Sequence, residues 1–354
     1  MSVALEKTLV LENKRIGPAE PPLLIAEVSA NHDRDLEQAL ALVDIAADAG
    51  WDCLKLQTYT ADSLTMRSDH PSMRVDPVWG KTNLHDLYQS AGMPMAFHAP
   101  LFAKARARGL LPFTSIYDPR DLAFTEDLGC EIYKVASFEM TYDDLLEAVA
   151  GTGKPLILST GMAIMSEIDH ALEILAQHGS GEVVLLHCCS SYPAPLDQIN
   201  LAAMQAMARE FGRMVGFSDH TIGARAALTA AAMGAVAIEK HFTNDMSRPG
   251  PDLRFSASPQ VMREIAVGVG EIHAAMGSPL KQTTKAEEVS KSLGRRSAFA
   301  LRDLAAGHVI GAGDFRFIRP GAGIPANDRA AVLGRRLKLP VKAGNPICYE
   351  DISA

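Results

Sequence analysis

The chain has 354 residues, of which 47% are hydrophobic and 21% charged, a composition that excludes a disordered chain and a small disulfide-stapled protein. At this length we expect one large domain with a smaller partner, unless the larger part is a barrel. The balance of 34 basic against 42 acidic residues gives a formal net charge of −8, which disfavours non-specific binding to nucleic acid.

The cysteines and the N-terminal residues indicate the cellular compartment. Five cysteines, an odd number with Cys188 and Cys189 adjacent, suit neither a disulfide framework nor a spaced zinc site, which indicates a reducing compartment. The first residues mix acids and bases and lack the apolar core of a signal peptide. No later run approaches the ~20 apolar residues that span a bilayer. We therefore predict a cytoplasmic protein without a membrane or nucleic-acid partner.

Short apolar runs alternate regularly with longer stretches of helical spacing along the first 276 residues. Eight apolar runs are predicted to be strands, at residues 23–28, 51–57, 111–116, 132–136, 155–159, 183–188, 214–218 and 235–239. The predicted helices cover residues 35–49, 97–108, 119–128, 142–150, 165–177, 201–211, 222–233 and 262–276.

About eight βα units with near-continuous apolar strands indicate a parallel sheet covered on both faces. A (β/α)8 TIM barrel over residues 1–276 fits this pattern best. A doubly wound open sheet is the alternative, since strand order is not visible in a sequence. Residues 277–294 are polar and are predicted to be a linker. Residues 295–354 contain short segments punctuated by Ala-Gly and Pro-Gly, which predict a small β-rich domain.

Polar residues close most of the predicted strands. The active site of a TIM barrel lies at the carboxyl ends of its strands, so these residues are candidates for function. Side chains two residues apart on a strand face the same side, so pairs such as Lys55 and Gln57 can point into one mouth. The residues at these ends are Glu27, Lys55, Gln57, Ser115, Lys134, Ser137, Glu139, Ser159, Thr160, Ser190, Tyr192, Ser218, Asp219, His220, Glu239 and His241.

Two of these residues, His220 and His241, close consecutive strands. Neighbouring strands lie about 4.8 Å apart, so both imidazoles could reach one divalent cation. Two histidines with nearby carboxylates and room for water suit a catalytic Mn, Co, Fe or Zn ion better than a closed structural site. Two hydrogen-bonded core histidines, or a single catalytic base, are the alternatives.

Lys55 and Lys134 occupy positions where a barrel core would otherwise take aliphatic side chains. A buried ammonium needs an anion to offset its desolvation, and a phosphorylated substrate would supply one. Ion pairing of each lysine with Glu27, Glu139 or Glu239 is one alternative, and a Schiff-base aldolase lysine is another. The hydroxyl groups that surround the same mouth are those of Ser115, Ser137, Ser159, Ser190 and Ser218.

Two loop residues complete the set of candidates. Asp252 lies in the Pro/Gly-rich loop 248–256 after the eighth strand, where it could accept hydrogen bonds from substrate hydroxyls or remain a solvated acid. Arg319 lies on a tight turn of the small domain, a position that is usually on the surface.

These residues lie in motifs that resemble the sialic acid synthase family, enzymes that condense phosphoenolpyruvate with an N-acetylated amino sugar to give a nonulosonic acid. The motifs run in family order over nearly the whole chain. They are IAEVSANH from Ile25, KLQTYTADSLT from Lys55, KVASFE from Lys134, LSTGM from Leu158, HCCSSYPAP from His187, GFSDHT from Gly216, IEKHFT from Ile238, RPGPD from Arg248 and RPGAGI from Arg319.

The resemblance implies a TIM barrel followed by an antifreeze-like SAF domain, in a domain-swapped homodimer. It assigns His220 and His241 to a divalent metal, typically Mn²⁺, with Mg²⁺ or Co²⁺ as alternatives. It places Glu139 near the attacking water and Arg319 in the active site of the partner subunit. It assigns phosphoenolpyruvate binding to Lys55, Ser115, Lys134, Ser137, Ser159, Ser190 and Ser218. It assigns the sugar side to Glu27, Gln57, Tyr192 and Asp252.

Within the family, residues 78–92 and the SSYPAP segment from Ser190 are most similar to pseudaminic acid synthases, which accept a 2,4-diacetamido-2,4,6-trideoxyhexose. N-acetylneuraminate and legionaminic acid synthases are the alternatives. More distant ones are a metal-dependent or Schiff-base aldolase and a non-catalytic carbohydrate-binding protein. Two positions depart from the family pattern: Arg34 stands where Gly is favoured, and Ile116 replaces a usual Pro after Ser115.

Overall fold

The structure, a computed structural model, describes residues 8–75, 81–248 and 250–353. The chain divides into two compact units, Met1–Gly277 and Ser278–Ala354. Two segments singled out by the sequence are only partly described. Residues 78–80 of the segment 78–92, and Pro249 of the loop 248–256, lie outside the described residues.

Eight parallel strands of the first unit form a closed barrel, which confirms the predicted TIM barrel and excludes the open doubly wound sheet. The order around the barrel follows the chain, and the last strand pairs with the first, with His241 opposite Glu27. The strands of this unit are β1 (Leu9–Leu11), β2 (Lys14–Ile16), β3 (Leu23–Glu27), β4 (Cys53–Thr58), β5 (Leu111–Ile116), β6 (Tyr133–Val135), β7 (Leu156–Ser159), β8 (Val183–Cys188), β9 (Met214–Asp219) and β10 (Ala237–His241), of which β3 to β10 form the barrel.

Helices follow the strands of the barrel as the spacing predicted. Their ends obey local rules: the Asp35 carboxylate caps the first helix by accepting hydrogen bonds from the backbone N–H groups of Glu37 and Gln38. The helices of this unit are α1 (Leu36–Asp48), α2 (Ala61–Leu64), α3 (Leu84–Ala91), α4 (Met95–Ala107), α5 (Leu122–Asp127), α6 (Asp143–Ala150), α7 (Met165–Gln177), α8 (Ala202–Phe211), α9 (Arg225–Ala232) and α10 (Pro259–Met276). Helices α2 and α3, in the long connection after β4, were not predicted. No helix among the described residues is both long and apolar enough to cross a bilayer.

Two apolar layers hold the barrel together. One lies between strands and helices and includes Leu54 and Phe217. The other fills the barrel interior near the amino-terminal ends of the strands and includes Phe113. The antiparallel hairpin of β1 and β2, which was not predicted, adds Leu11 and Ile16 to this inner layer and so closes the amino-terminal end of the barrel. The buried lysines of the barrel interior, Lys55 and Lys134, lie beyond this layer, toward the carboxyl end.

The second unit is small and has its own apolar core, which includes Leu304, Phe315 and Ile324. Strands β11 (Ser297–Ala300) and β12 (Phe315–Ile318) pair antiparallel. Part of the predicted linker 277–294 is helical: a 3-10 turn, Lys285–Glu287, leads into α11 (Glu288–Gly294). Thr284 and Glu287 form a capping box there. This local signal favours a helix start, although the polar composition of the segment had predicted a linker.

Candidate active site

A cavity of about 540 Å³ lies at the carboxyl ends of the barrel strands. Most of the predicted site residues line it, and Glu27 and Ser115 lie just beside it, in contact with Lys55. Arg319 is exposed in the second unit, after β12. The predicted residues that line the cavity are Lys55, Gln57, Lys134, Ser137, Glu139, Ser159, Ser190, Tyr192, Ser218, His220, His241 and Asp252.

Two buried lysines and two buried carboxylates form an ion cluster at the floor of the cavity. Lys134 Nζ donates to both carboxylate oxygens of Glu239, at 2.8 and 2.7 Å. Lys55 is paired with Glu27, and its Nζ lies 3.5 Å from Glu239 Oε2. Ion pairing, the alternative considered from the sequence, is therefore present. Its central carboxylate is Glu239, which also lines the cavity and which the sequence offered as a strand-end candidate and as one of three possible ion-pair partners of the lysines.

Burial and neighbouring charges set the protonation of this cluster. Burial raises the pKa of Glu27 to about 7, against the attraction of Lys55. Burial would raise the pKa of Glu239 as well, but Lys134 and Lys55 outweigh it and hold that pKa well below its usual range. Glu239 is therefore a fixed anion between two ammonium groups, while Glu27 can gain or lose a proton near neutral pH.

The two predicted metal ligands meet in the cavity. The ring centroids of His220 and His241 lie 5.5 Å apart. His220 Nδ1 donates to the backbone oxygen of Cys189 at 3.1 Å, which leaves its Nε2 as the lone-pair nitrogen. His241 Nδ1 is buried without a hydrogen-bond partner and lies 3.8 Å from Asp252 Oδ2.

The histidines fit a divalent cation as neutral ligands. Burial lowers the pKa of His220 to about 4 and lowers the pKa of His241 well below its usual range, so both rings are neutral near pH 7. Within the described ranges, no three His, Cys, Asp or Glu side chains cluster as a metal site. Two neutral imidazoles suit a cation that takes water or substrate oxygens as its other ligands.

Hydroxyl groups surround the ion cluster, as predicted. Ser218 Oγ donates to Glu239 Oε1 at 3.0 Å, and Ser159 Oγ is buried without a hydrogen-bond partner. Ser137 and Glu139 are carried by a short 3-10 turn, Ser137–Glu139, that follows β6. Glu139 Oε2 is buried without a partner, and burial raises the pKa of this carboxyl to about 8.

Gly161 lets the loop after β7 approach these hydroxyls. Its backbone N–H donates to Ser137 Oγ at 2.9 Å. A Cβ atom at this position would collide with Ser190 Oγ and would lie 2.8 Å from Cys188 Sγ. Only glycine leaves room for this close approach. Cys188, which also lines the cavity, was not predicted; its signal was the alternation along β8, where Val184 and Leu186 face the barrel interior.

The residues assigned to the sugar side form a second polar group. Glu27 Oε1 accepts hydrogen bonds from Gln57 Nε2 and from the backbone N–H of Ser29, both at 3.0 Å. Asp252 Oδ2 accepts one from the backbone N–H of Ala30 at 3.1 Å. The Tyr192 ring lies 4.6 Å from the His220 ring, measured between centroids. The group thus lies against the histidines.

One wall of the cavity is apolar, and the sequence did not predict it. It is built largely by the connection after β4, which contains α2 and α3. Because this wall lines the same cavity as Gln57 and Asp252, it can contact the less polar substituents of a ligand that these polar residues bind. Its side chains are Tyr59, Leu64, Val75, Leu84, Leu87, Tyr88, Ala91, Tyr117, Phe138 and Phe255.

The two departures from the family pattern have different positions. Arg34 has a φ of 56°, and its Nη1 donates to the backbone oxygens of Gln89 and Gly92, at 3.1 and 2.6 Å. It therefore holds the carboxyl end of α3. Ile116 is buried in the apolar layer between strands and helices and does not line the cavity.

Comparison with known proteins identifies the family. Residues 42–281 match the NeuB family, and residues 295–353 match the SAF domain. The chain belongs to the NeuB family. A pseudaminic acid synthase of Helicobacter pylori is 34% identical to this NeuB chain over 94% of its residues and 98% of the relative. An N,N′-diacetyllegionaminic acid synthase of Campylobacter jejuni is 34% identical over 88% of this chain and 95% of the relative.

The NeuB chain is also similar to a solved structure. The crystal structure of N-acetylneuraminic acid (sialic acid) synthetase from Leptospira borgpetersenii, in complex with citrate, has a TM-score of 0.73 and 31% sequence identity. The similarity covers 81% of this chain and 96% of that one. The fold predicted from the resemblance, a TIM barrel with a C-terminal SAF domain, is confirmed.

Proposed function

We propose that this NeuB-family chain condenses phosphoenolpyruvate with an N-acetylated amino sugar to form a nonulosonic acid, with release of phosphate. The observation that carries the proposal is the placement of two buried ammonium groups, Lys55 and Lys134, in one cavity with the imidazoles of His220 and His241. Relatives at 34% identity that carry the names of such synthases support it.

The anionic substrate would occupy the floor of the cavity. Glu239 is hydrogen-bonded by Lys134 and Ser218 and approached by Lys55, so these three donors already converge on one carboxylate. Phosphoenolpyruvate carries a phosphate and a carboxylate that the same type of donor recognises. Ser159 Oγ, without a partner, provides a further hydroxyl. The other proposed phosphoenolpyruvate contacts are Ser115, Ser137 and Ser190.

The proposed reaction forms one C–C bond and breaks one C–O bond. C3 of phosphoenolpyruvate attacks the aldehyde carbon of the open-chain sugar, and the aldehyde oxygen takes a proton from solvent to become a hydroxyl. The attack leaves positive charge at C2. Water then adds at C2 and gives its proton to Glu139, whose raised pKa suits a general base. The tetrahedral product of this addition loses phosphate by cleavage of the C2–O bond, and the C2 hydroxyl gives its proton to the departing phosphate as the ketone forms. Lys55 and Lys134 stabilise the phosphate and carboxylate charges throughout.

A divalent cation, Mn²⁺ in the first place with Mg²⁺ or Co²⁺ as alternatives, would be held by His220 and His241 and would supply Lewis-acid polarisation of the aldehyde oxygen. The neutral state of both imidazoles supports these roles as ligands. Glu27, Gln57, Tyr192 and Asp252 would orient the sugar hydroxyl and amide groups beside them.

The proposed sugar is 2,4-diacetamido-2,4,6-trideoxy-L-altrose, which would make the product pseudaminic acid. This sugar bears two acetamido methyl groups and a C6 methyl group, and the apolar wall with Leu84, Leu87 and Tyr88 offers matching surface. The relative from Helicobacter pylori supports the same choice. Legionaminic acid and N-acetylneuraminic acid synthesis are the alternatives. The legionaminic acid alternative is supported by the relative from Campylobacter jejuni, which is also 34% identical to this chain.

We further propose that the active form is a homodimer with exchanged SAF domains, in which Arg319 reaches the active site of the partner subunit. Support comes from exposed apolar side chains that follow the carboxyl ends of consecutive strands around the cavity. Such a rim is unusual on a free surface and fits a second copy of the chain. Its side chains are Phe138, Met162, Ile164, Leu196 and Ile222, with exposed fractions of 62%, 62%, 63%, 52% and 71%.

The proposed location is the cytoplasm. All five cysteines are free, which suits a reducing compartment. Fractionation of the source cells with an antibody to the chain tests this: recovery outside the cytoplasmic fraction would contradict it.

The activity is tested by phosphate release from purified protein. The assay contains phosphoenolpyruvate, a candidate amino sugar and Mn²⁺, and it is repeated after chelation and after metal is restored. We expect release that depends on the sugar and is lost on chelation. Treatment with borohydride in the presence of pyruvate distinguishes the synthase from the aldolase alternative. A Schiff-base aldolase would be trapped as a covalent adduct on Lys55 or Lys134. Absence of sugar-dependent release with every metal would contradict the proposal.

A further inference from the structure

A second buried ion pair lies behind the two histidines. Lys240 Nζ lies 2.7 Å from Asp219 Oδ2, and both side chains are fully buried. The two residues are register partners on β9 and β10, and they immediately precede His220 and His241 in the chain. Because side chains alternate along a strand, the pair faces away from the cavity that the histidines line.

The nearest outward-facing neighbours of the pair on its own strands are apolar. Phe217 and Ile238, two residues earlier on the same strands, belong to the core between strands and helices. Aliphatic side chains in place of a buried ion pair are often neutral or stabilising, so stability alone does not account for Asp219 and Lys240. An ion pair differs from aliphatic side chains in that its hydrogen bonds fix the orientation of the groups around it.

Both members of the pair form hydrogen bonds with the backbone of Thr221, the residue that follows His220. Asp219 Oδ1 accepts a hydrogen bond from the backbone N–H of Thr221 at 2.8 Å. Lys240 Nζ donates to the backbone oxygen of Thr221 at 2.7 Å. The backbone on both sides of His220 is thus tied to the strand that carries His241.

We propose that Asp219 and Lys240 form a cross-strand clamp that positions the imidazoles of His220 and His241 for one shared divalent cation. The clamp rests on the two-histidine cation site of the proposed function. Its members are positioning residues, because neither lines the cavity. Loss of such supporting bonds around metal ligands typically weakens metal binding about 10–100-fold.

The test is isothermal titration calorimetry with Mn²⁺ alone, on the full chain and on the double variant Asp219→Asn/Lys240→Met. Asparagine retains an acceptor for the Thr221 N–H, and methionine retains an unbranched side chain without charge, so no lone charge is buried. We expect Mn²⁺ affinity to fall about 10–100-fold, while the melting temperature and the affinity for phosphoenolpyruvate stay at the wild-type values.

A matched control removes an ion pair of the same length elsewhere. Lys154 Nζ lies 2.7 Å from Glu126 Oε2, and Lys154 precedes β7 at the amino-terminal end of the barrel. The double variant Glu126→Gln/Lys154→Met should bind Mn²⁺ like the wild type. If Asp219→Asn/Lys240→Met does not fold, Lys240→Arg replaces it, since that variant keeps the charge and changes the geometry; it should also weaken Mn²⁺ binding.

The outcomes separate the clamp from the site it supports. A folded clamp variant with wild-type Mn²⁺ affinity overturns the clamp and leaves the two-histidine site standing. A loss of affinity that only parallels a fall in melting temperature also overturns it, because the pair would then be structural. If the wild type binds no Mn²⁺, or if His220→Ala and His241→Ala bind it as the wild type does, the two-histidine site fails and the clamp fails with it.

Discussion

Lys134 and Glu239 lie on opposite strands of the barrel, four strands apart in either direction, yet Lys134 Nζ lies 2.8 and 2.7 Å from the two carboxylate oxygens of Glu239. Their ion pair therefore crosses the barrel interior at the floor of the cavity. It holds a positive charge at the centre of the mouth, where an anionic substrate would meet it.

The first prediction concerns this ammonium. Lys134→Met keeps the shape of the side chain and removes its charge-assisted hydrogen bonds, which are worth about 1.5–3 kcal/mol. We expect the KM for phosphoenolpyruvate to rise at least about 10-fold, with a smaller effect on the KM for the sugar, in steady-state phosphate-release assays. Lys154→Met, which removes an ammonium at the other end of the barrel, is the control. Equal KM values in the two variants would argue against phosphate recognition by Lys134.

The second prediction concerns Glu139 and stability. Burial raises the pKa of its carboxyl to about 8, above the ordinary value of 4.5 that the unfolded chain has. The folded state therefore retains a proton that the unfolded state loses, and stability falls as the pH rises from about 4.5 to about 8. Glu139→Gln removes this dependence and should be more stable than the wild type at pH 8.5 by about 2 kcal/mol, a value reduced for the partial exposure of the side chain.

Urea unfolding of both proteins at pH 5, 7 and 8.5 measures this difference. The same variant should lose about 10²–10⁴-fold in kcat, because it lacks the general base. In the wild type, kcat should increase with pH up to about 8, as Glu139 loses its proton. A stability difference that is constant over this pH range would show that the carboxyl titrates normally.

The third prediction concerns Arg34, which adopts a left-handed conformation and hydrogen-bonds the carboxyl end of α3. Such a conformation in a non-glycine residue costs about 1–3 kcal/mol, and the bonds to the Gln89 and Gly92 oxygens offset this cost. Arg34→Gly relieves the strain but frees α3. We expect the KM for the sugar to rise about 5–20-fold, as expected from the loss of one or two hydrogen bonds, while the KM for phosphoenolpyruvate is unchanged.

Arg34→Lys is the companion variant, since it keeps the charge and removes the guanidinium Nη1 that donates both hydrogen bonds. Steady-state kinetics with each substrate varied in turn give the two KM values. If Arg34→Gly used the sugar as well as the wild type does, α3 would not need this anchor.

The fourth prediction concerns Arg319 and the proposed domain exchange. Arg319→Ala and His241→Ala should each be nearly inactive as pure proteins. After unfolding and refolding together in equal amounts, we expect roughly a quarter of the wild-type activity, because half of the dimers are mixed and each mixed dimer has one complete site. Wild-type activity of Arg319→Ala alone, or no recovery in mixed dimers confirmed by mass, would contradict an arginine that acts across the interface.

The sequence predicted the barrel because its strands are short continuous apolar runs with polar residues at their carboxyl ends. Those ends converge once the sheet closes, which is why His220 and His241 could be expected to meet. The sequence offered Glu27, Glu139 and Glu239 as partners of the lysines but could not show which one pairs with Lys134, because Glu239 lies on the opposite strand and the contact exists only across a closed interior.

Two other features escaped prediction for local reasons. The hairpin of β1 and β2 has three residues in each strand, too few for a period to show. Helix α3 is short and has a mixed composition, so the apolar wall with Leu84 and Leu87 emerges only when the connection after β4 folds back over the mouth. The Asp219–Lys240 pair faces the helices, a side on which charged residues are not expected.

The central claim is that Lys55 and Lys134 hold phosphoenolpyruvate beside a sugar bound near His220 and His241. Mass spectrometry of the product tests it most directly, with phosphoenolpyruvate, Mn²⁺ and a panel of 2-acetamido and 2,4-diacetamido hexoses. We predict a new acid that contains the sugar plus the three carbons of pyruvate, formed fastest from 2,4-diacetamido-2,4,6-trideoxy-L-altrose. Recovery of every sugar unchanged, with phosphoenolpyruvate intact, would contradict the claim.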